Sequence, residues 1–183
     1  MIADKIIWPK HYNPAEADYN VEAEVVIDKI TGEELWPYLT NIADITHTNC
    51  EFVDAEPVDP NVNDPHLKKG EEFTLQTDEY TARCRVVETV APKDDRPGRF
   101  AWEGVGMLTN SSEKFTFMHM WTIDVTKRDE GLRVVSNLSV KGKVLSEQFF
   151  ADINQKSLAG LVRYTAGKES HTNHPNKLPG NHM

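Results

Sequence analysis

Cysteine is nearly absent from this chain, with only Cys50 and Cys84 among its 183 residues. They form no CxxC pair, so neither a zinc ribbon nor a redox motif is encoded. Free thiols in a cytoplasmic protein are the default reading, and a single Cys50–Cys84 disulfide is the other arrangement. No apolar run approaches the roughly 20 residues that span a bilayer, and the N-terminus has neither the h-region nor the cleavage site of a signal peptide. Basic residues are outnumbered, 20 against 29 acidic, for a net charge of -9. Phosphate backbones are bound by clustered Lys and Arg, so a nucleic-acid role is not expected. The same field discourages docking on an anionic membrane. Strong catalytic motifs are missing too: no GxSxG elbow, HExxH, P-loop or complete GxGxxG, for which Gly104-x-Gly106 alone does not serve. Nothing calls for a cofactor or a structural metal. His171-x-x-His174 lies in a tail where pre-positioned ligands are not expected.

What is present is one domain's worth of alternating and helical pattern. Residues 1–19 read as an arm, with Ile6, Ile7 and Trp8 followed by Pro9 and Pro14; Trp8 and Tyr12 are its expected anchors. From Asn20, Val21, Ala23, Val25 and Ile27 alternate as a half-buried strand. Thr31 and Glu34 form a capping box ahead of two short helices, about 32–39 and 41–46, with Pro37 taken into the first turn. Further strands are expected at 50–55, 73–77, 81–90, 99–104, 113–127 and 132–140. Residues 54–70, rich in Pro, Asp and Asn, read as a long loop of the kind that covers a site. Gly104–Ser112 reads as a flexible connection. These two segments are the expected mobile rims.

The last element is a long helix, about 146–166, opened by Gly142 and Ser146 and stopped by Gly167. Phe149, Phe150, Ile153, Ser157, Leu158, Leu161, Val162 and Tyr164 make a wide stripe that must lie against something. The order of elements is α+β: an antiparallel sheet of about seven strands, strongly twisted and curled around the terminal helix. The domain spans 20–168, and the His-, Asn- and Pro-rich residues 169–183 are read as a disordered tail.

Within that frame His119 stands out, between Phe117 and Trp121 on the inward face of the 113–127 strand. It reads as a hydrogen-bonded core residue or as a neutral imidazole able to orient a ligand or move a proton. Trp102 and Trp121 are either flat walls for a ring system or core packing. Ser157, Ala159 and Gly160 leave a small-residue gap that either allows close helix–sheet packing or holds a ligand. Cys84 faces inward with Ala82 and Val86, as filler or as a nucleophile. A bulge at Val86–Val87 would reverse the outward phase of Arg83 and Arg85. Ser136 is a further polar candidate, and Tyr164 brings its hydroxyl either to the cavity or to solvent.

Several stretches, in order, carry a resemblance. "EELWPYLTNIADI" is similar to the first helical segment of the START-related, polyketide cyclase/dehydrase-like superfamily, which includes the birch-pollen allergens. "LKKGEEFTL", "CRVVETVAP" and "RFAWEG" resemble its third to fifth strands, and "DEGLRVVSNLSVKG" its final hairpin. "WPKHYNPAEA" is similar to an extension of bacterial members. The resemblance covers residues 5–168 and implies a helix-grip fold with a cavity for an apolar molecule. One departure is Ser136-Asn137-Leu138, where many members have an acidic residue, so no role of that carboxylate carries over. Three functions are compatible: a binding protein for a small apolar or aromatic (lipid- or polyketide-like) molecule, a cyclase/aromatase-like enzyme using His119 for proton transfer, and a partner-binding domain with a filled cavity. The ligand set expected is Trp102, Phe117, His119, Trp121, Cys84, Ser136, Phe149, Ile153, Ser157, Gly160, Leu161 and Tyr164, in a monomer or weak homodimer.

Overall fold

A computed structural model of the chain describes residues 15–49, 52–124 and 131–173. Residues 1–14 of the expected arm, residues 50–51 with Cys50, residues 125–130 and residues 174–183 lie outside the described residues. Seven strands form one antiparallel sheet in the order β1-β7-β6-β5-β4-β3-β2. They are β1 (Tyr19–Ile27), β2 (Asp54–Pro57), β3 (Glu72–Gln76), β4 (Tyr80–Val90), β5 (Gly98–Leu108), β6 (Lys114–Ile123) and β7 (Leu132–Lys141). Helices α1 (Gly32–Thr40) and α2 (Ile42–Thr48) follow β1, and α3 (Glu147–Asn173) closes the chain. The architecture is the expected helix-grip fold: the sheet presents one face to α3, which packs chiefly on β1, α2 and β7. Among the described residues no helix is long and apolar enough to cross a membrane.

Local chemistry explains the element ends. Thr31 Oγ1 accepts from the Glu34 amide at 3.2 Å, and Ser146 Oγ accepts from the Phe149 amide at 3.1 Å, each satisfying an orphan donor of a first helical turn. Pro37 sits inside α1 rather than in its first turn. Helix α3 continues past Gly167 to Asn173, so residues 169–173, read as tail, extend the helix.

Strand β5 departs most from expectation. The segment read as a flexible connection after Gly104 is strand as far as Leu108, paired with β4 on one side and β6 on the other. Gly104 lies opposite Phe117 and Gly106 opposite Phe115. A Cβ at Gly104 would stand 2.7 Å from Phe117 Cζ, and one at Gly106 2.4 Å from Phe115 Cζ. The two glycines are notches over which the neighbouring rings lie, which is why glycine here belongs to a strand rather than a loop. The 54–70 loop is also tied down. Its start is β2, and further on the Leu67 amide donates to Thr40 O at 2.8 Å while the Ile42 amide donates to Pro65 O at 2.9 Å. The bulge between Val86 and Glu88 falls after the inward positions Ala82, Cys84 and Val86. Arg83 and Arg85 therefore face out, paired with Glu72 and Glu103.

Ile153 is 6% exposed in the cluster that α3 shares with the sheet, so Ile153→Ala should cost about 2–5 kcal/mol through the cavity it leaves. Gly106→Ala should cost about 1–3 kcal/mol, because Phe115 is held by Tyr80, Phe117 and Phe150 and cannot swing away. Urea unfolding curves check both. A melting curve for Gly106→Ala superimposable on wild type would show that the ring is free to move.

Candidate functional site

Alternation along β6 turns Phe115, Phe117, His119, Trp121 and Ile123 toward the core. His119 is paired in register with Trp102 on β5 and Leu138 on β7, and its neighbour line pairs Trp121 with Ser136. Its ring stands 4.8 Å from Trp102 and 5.0 Å from Trp121, centroid to centroid. His119, Trp102, Trp121 and Ser136 are all at most 4% exposed.

A chain of hydrogen bonds runs through this spot. His119 Nε2 lies 2.6 Å from Ser136 Oγ, and Ser136 Oγ lies 2.5 Å from Asn154 Oδ1 on α3. Asn154 Nδ2 donates to Ser136 O at 2.9 Å and to Val21 O at 3.5 Å. Those two carbonyls accept only, so they fix the amide with its nitrogen toward them and Oδ1 toward Ser136. Ser136 must then spend its one hydrogen on Oδ1, since otherwise two acceptors would meet at that distance. Its oxygen is left to accept from His119, which makes the imidazole the Nε2–H tautomer and leaves Nδ1 with a free lone pair. Among the described residues Nδ1 has no hydrogen-bond partner. Trp102 Nε1 and Ser157 Oγ are two of five side-chain polar atoms buried without a partner among the described residues, the others being Asn49 Oδ1, Thr122 Oγ1 and Asn137 Nδ2.

Burial alone pushes the His119 pKa down, to about 3, because the charged imidazolium would lose its water. The same cause pushes the Cys84 thiol far up and favours its neutral form. Cys84 is a free thiol.

The expected site residues divide into two groups. Trp102, Phe117, His119, Trp121, Ser136, Ile153, Ser157, Gly160 and Leu161 are buried on the sheet and helix faces that meet. Of the three small residues, Ser157 and Gly160 are buried and Ala159 is exposed. Phe149 is half-buried at the start of α3 against Tyr80 and Phe150. Tyr164 does not reach this region. Its hydroxyl donates to Asp44 on α2 at 2.5 Å and its ring stacks on His47 at 5.4 Å, so it ties two helices together. The hydrogen bond to Asp44 holds its pKa up at about 12. Asn154 was not anticipated. It lies three residues before Ser157 and four after Phe150, on the buried stripe, and that spacing was the available signal. Also unanticipated is a surface pocket of about 320 Å³ beside Trp36, Thr40, His66 and Thr89. Trp36 meets Phe100 at 6.1 Å and Phe100 meets Trp102 at 5.5 Å, so an aromatic line connects this pocket with His119. Among the described residues no three His, Cys, Asp or Glu side chains gather to hold a metal.

The displaced pKa links His119 to stability. Above about pH 6.5 the imidazole is neutral in both states and the fold carries no penalty. Below it the unfolded chain takes up a proton that the folded chain refuses until about pH 3, so stability falls with pH. The slope from this residue should be about 1.4 kcal/mol per pH unit between about pH 6 and 4. Urea titrations at several pH values should show this slope in wild type and its loss in His119→Gln. Parallel slopes for the two proteins would mean that water reaches the imidazole.

Known proteins place this geometry in a wider context. Among solved structures, hypothetical protein jhp0584 from Helicobacter pylori matches with a TM-score of 0.73 at 21% identity, over 87% of this chain and 95% of that one. Ara h 8.0201 matches with a TM-score of 0.54 at 12% identity, over 81% and 98%. DynU16, a protein of the dynemicin biosynthetic locus, matches with a TM-score of 0.55 at 16% identity, over 81% of this chain and 48% of its own. At these identities the likeness is one of fold. No curated protein sequence matches. The family model described as "Polyketide cyclase / dehydrase and lipid transport" matches residues 19–166, from the first strand through most of α3. The chain therefore belongs to the polyketide cyclase/dehydrase and lipid transport family.

Proposed function

We propose that the protein binds a small, largely apolar, ring-containing molecule between the sheet and α3, beside His119 and Trp102. The observation that carries this reading is the Asn154–Ser136–His119 chain, set in a predominantly apolar core. Buried polar groups cost stability unless they are paired, and apolar residues of similar shape would fill the space at less risk. Trp102 Nε1 and Ser157 Oγ remain unpaired in the same core, a condition that a bound molecule relieves. Family membership supports a small-molecule role in general.

The balance against proton-transfer chemistry also comes from the site. A general base works best with a pKa near the working pH, and His119 is held at about 3. Its ring and hydrogen-bond neighbours are Trp102, Trp121 and Ser136, none of which supplies a second acid or base at neutral pH. Binding is favoured over catalysis for that reason.

Affinity rests on the polar anchors. Burying roughly 300 Å² of ligand at about 25 cal/mol per Å² gives on the order of 7 kcal/mol, of which at least about 4 is offset by lost freedom of motion. Apolar contact alone leaves a weak complex. Mass spectrometry under native conditions, on protein purified without organic solvent, should find a fraction carrying an added small-molecule mass above the 20.8 kDa chain. Trp102→Ala should release it. A homogeneous chain mass from several expression hosts, with no uptake of naphthalene-sized probes at millimolar concentration, would sink the reading.

A further inference from the structure

The face of the sheet turned away from α3 is buried in its middle and exposed at its margins. Ala101 of β5, Met118, Met120 and Thr122 of β6, and Val135 and Asn137 of β7 are at most 2% exposed. They form one patch, since Met120 pairs in register with Ala101 and Asn137, and Thr122 with Val135. Beside it, Glu22, Glu24 and Val26 of β1 and Val105 and Met107 of β5 are exposed. A strand with water on one side alternates between buried and exposed positions. Strand β6 is instead buried without a break from Phe117 to Ile123, and β7 from Val134 to Val140, as strands covered on both faces are. None of the described helices is that second cover. Helix α3 meets the opposite face through Asn154 at Ser136, α1 meets it through Trp36 at Phe100, and α2 packs on α1, α3 and β2. Two polar atoms of the patch, Thr122 Oγ1 and Asn137 Nδ2, have no hydrogen-bond partner among the described residues. The cover therefore has to be apolar enough for two methionines and able to offer acceptors.

We infer that residues 1–14 of this chain are the cover, an extended strap across β7, β6 and β5 with Ile6, Ile7 and Trp8 against Met118 and Met120. Composition favours this segment. It holds Ile2, Ile6, Ile7, Trp8 and Tyr12, whereas 125–130 has one valine beside four charged residues and 174–183 has Leu178 and Met183. The starting point also fits. The Asp18 amide donates to Val140 O at 2.9 Å, and Asp18 Oδ2 accepts from the Gly142 amide at 2.7 Å, so the chain enters β1 beside β7. From β7 to β5 is about 10 Å at the usual strand spacing, and 14 extended residues reach about 45 Å. Pro9 and Pro14 suit a strap, because each holds the residue before it out of helical geometry. Its main-chain carbonyls are acceptors for Asn137 Nδ2 and Thr122 Oγ1, and flexible thioethers adapt to an irregular cover. Left bare, the patch would be a surface for association.

Methyl-labelled methionine in the full chain reads the cover directly, with exposed Met107 as internal reference. On addition of a soluble gadolinium chelate, the Met107 methyl resonance should broaden while those of Met118 and Met120 stay sharp. Both sharp methyls should show nuclear Overhauser cross-peaks to the Trp8 ring. In a full-length Ile7→Asp, Trp8→Asp double variant, Met118 and Met120 should broaden as Met107 does. The Trp102 and Trp121 indole signals should keep their positions, which separates release of the strap from unfolding. If the variant fails to fold, the wild-type cross-peaks decide: their presence supports the strap and their absence overturns it. Unchanged protection of both methyls in the folded variant would overturn it too, as would cross-peaks to residues 174–183 instead. Protection that fades as a dimer dissociates on dilution would assign the patch to a second copy and overturn the strap.

Discussion

The Asn154 amide is the constraint on which the interior depends. It reaches from α3 to carbonyl oxygens on two neighbouring strands, Ser136 on β7 and Val21 on β1, and so fixes how the helix sits across the sheet. Because its nitrogen is committed to those carbonyls, its oxygen dictates the direction of every proton further along. The arrangement needs the registers Val21↔Leu138 and Ser136↔Trp121 to be correct. A slip of one residue in β7 would send Ser136 to the outer face and bring Asn137 inward. A polar network in a low-dielectric core is severe in this way: satisfied, it selects one register, and broken, it leaves several buried groups without partners.

Aromatic contacts hold α3 near its start and again at Tyr164. Near its start, Phe149 and Phe150 meet Tyr80, Phe115 and Tyr19; farther along, Tyr164 meets Tyr38, His47 and Asp44. The small and polar positions Asn154, Ser157 and Gly160 fall between these two clamps. A ligand placed against the middle of the helix therefore demands no movement of either end. The glycine notches of β5 add to this rigidity by letting Phe115 and Phe117 lie close over the strand, where a side chain on Gly104 or Gly106 would push them toward the helix.

Features governed by local geometry were legible in the sequence. Strict alternation in β6 identified the inward face with His119, and the Thr31–Glu34 spacing marked the start of α1, because both signals are complete within a few residues. What could not be read depended on distant partners. Gly104 and Gly106 look like a loop until the rings of the next strand are laid over them. Tyr164 sits on the apolar stripe by spacing, yet its hydroxyl partner Asp44 is 120 residues away. Asn154 carries no hydrophobic signal, and its role exists only once β1 and β7 lie side by side. The fold class followed from element order, whereas the chemistry of the site followed from three side chains on three elements.

The proton order also bears on what kind of molecule can be held there. Protonating His119 would place hydrogens on both ring nitrogens without disturbing Ser136, since Nε2 already donates. The hydrogen-bond chain therefore does not oppose the charged form; loss of hydration does. A carboxylate set against Nδ1 would supply the missing counter-charge and draw a proton into the core along with the ligand. That coupling requires two charges to be desolvated together, which is costly unless their geometry and remaining hydrogen bonds are nearly complete. Among the partners of the ring, Trp102, Trp121 and Ser136, the one unpaired donor among the described residues is the Trp102 indole Nε1–H, too few to complete the hydrogen bonds of a carboxylate. A neutral hydroxyl needs only the lone pair that is already exposed. On the binding role proposed above, an uncharged occupant would be the least costly one, and the net charge of -9 on the chain acts in the same direction by disfavouring the approach of anionic molecules.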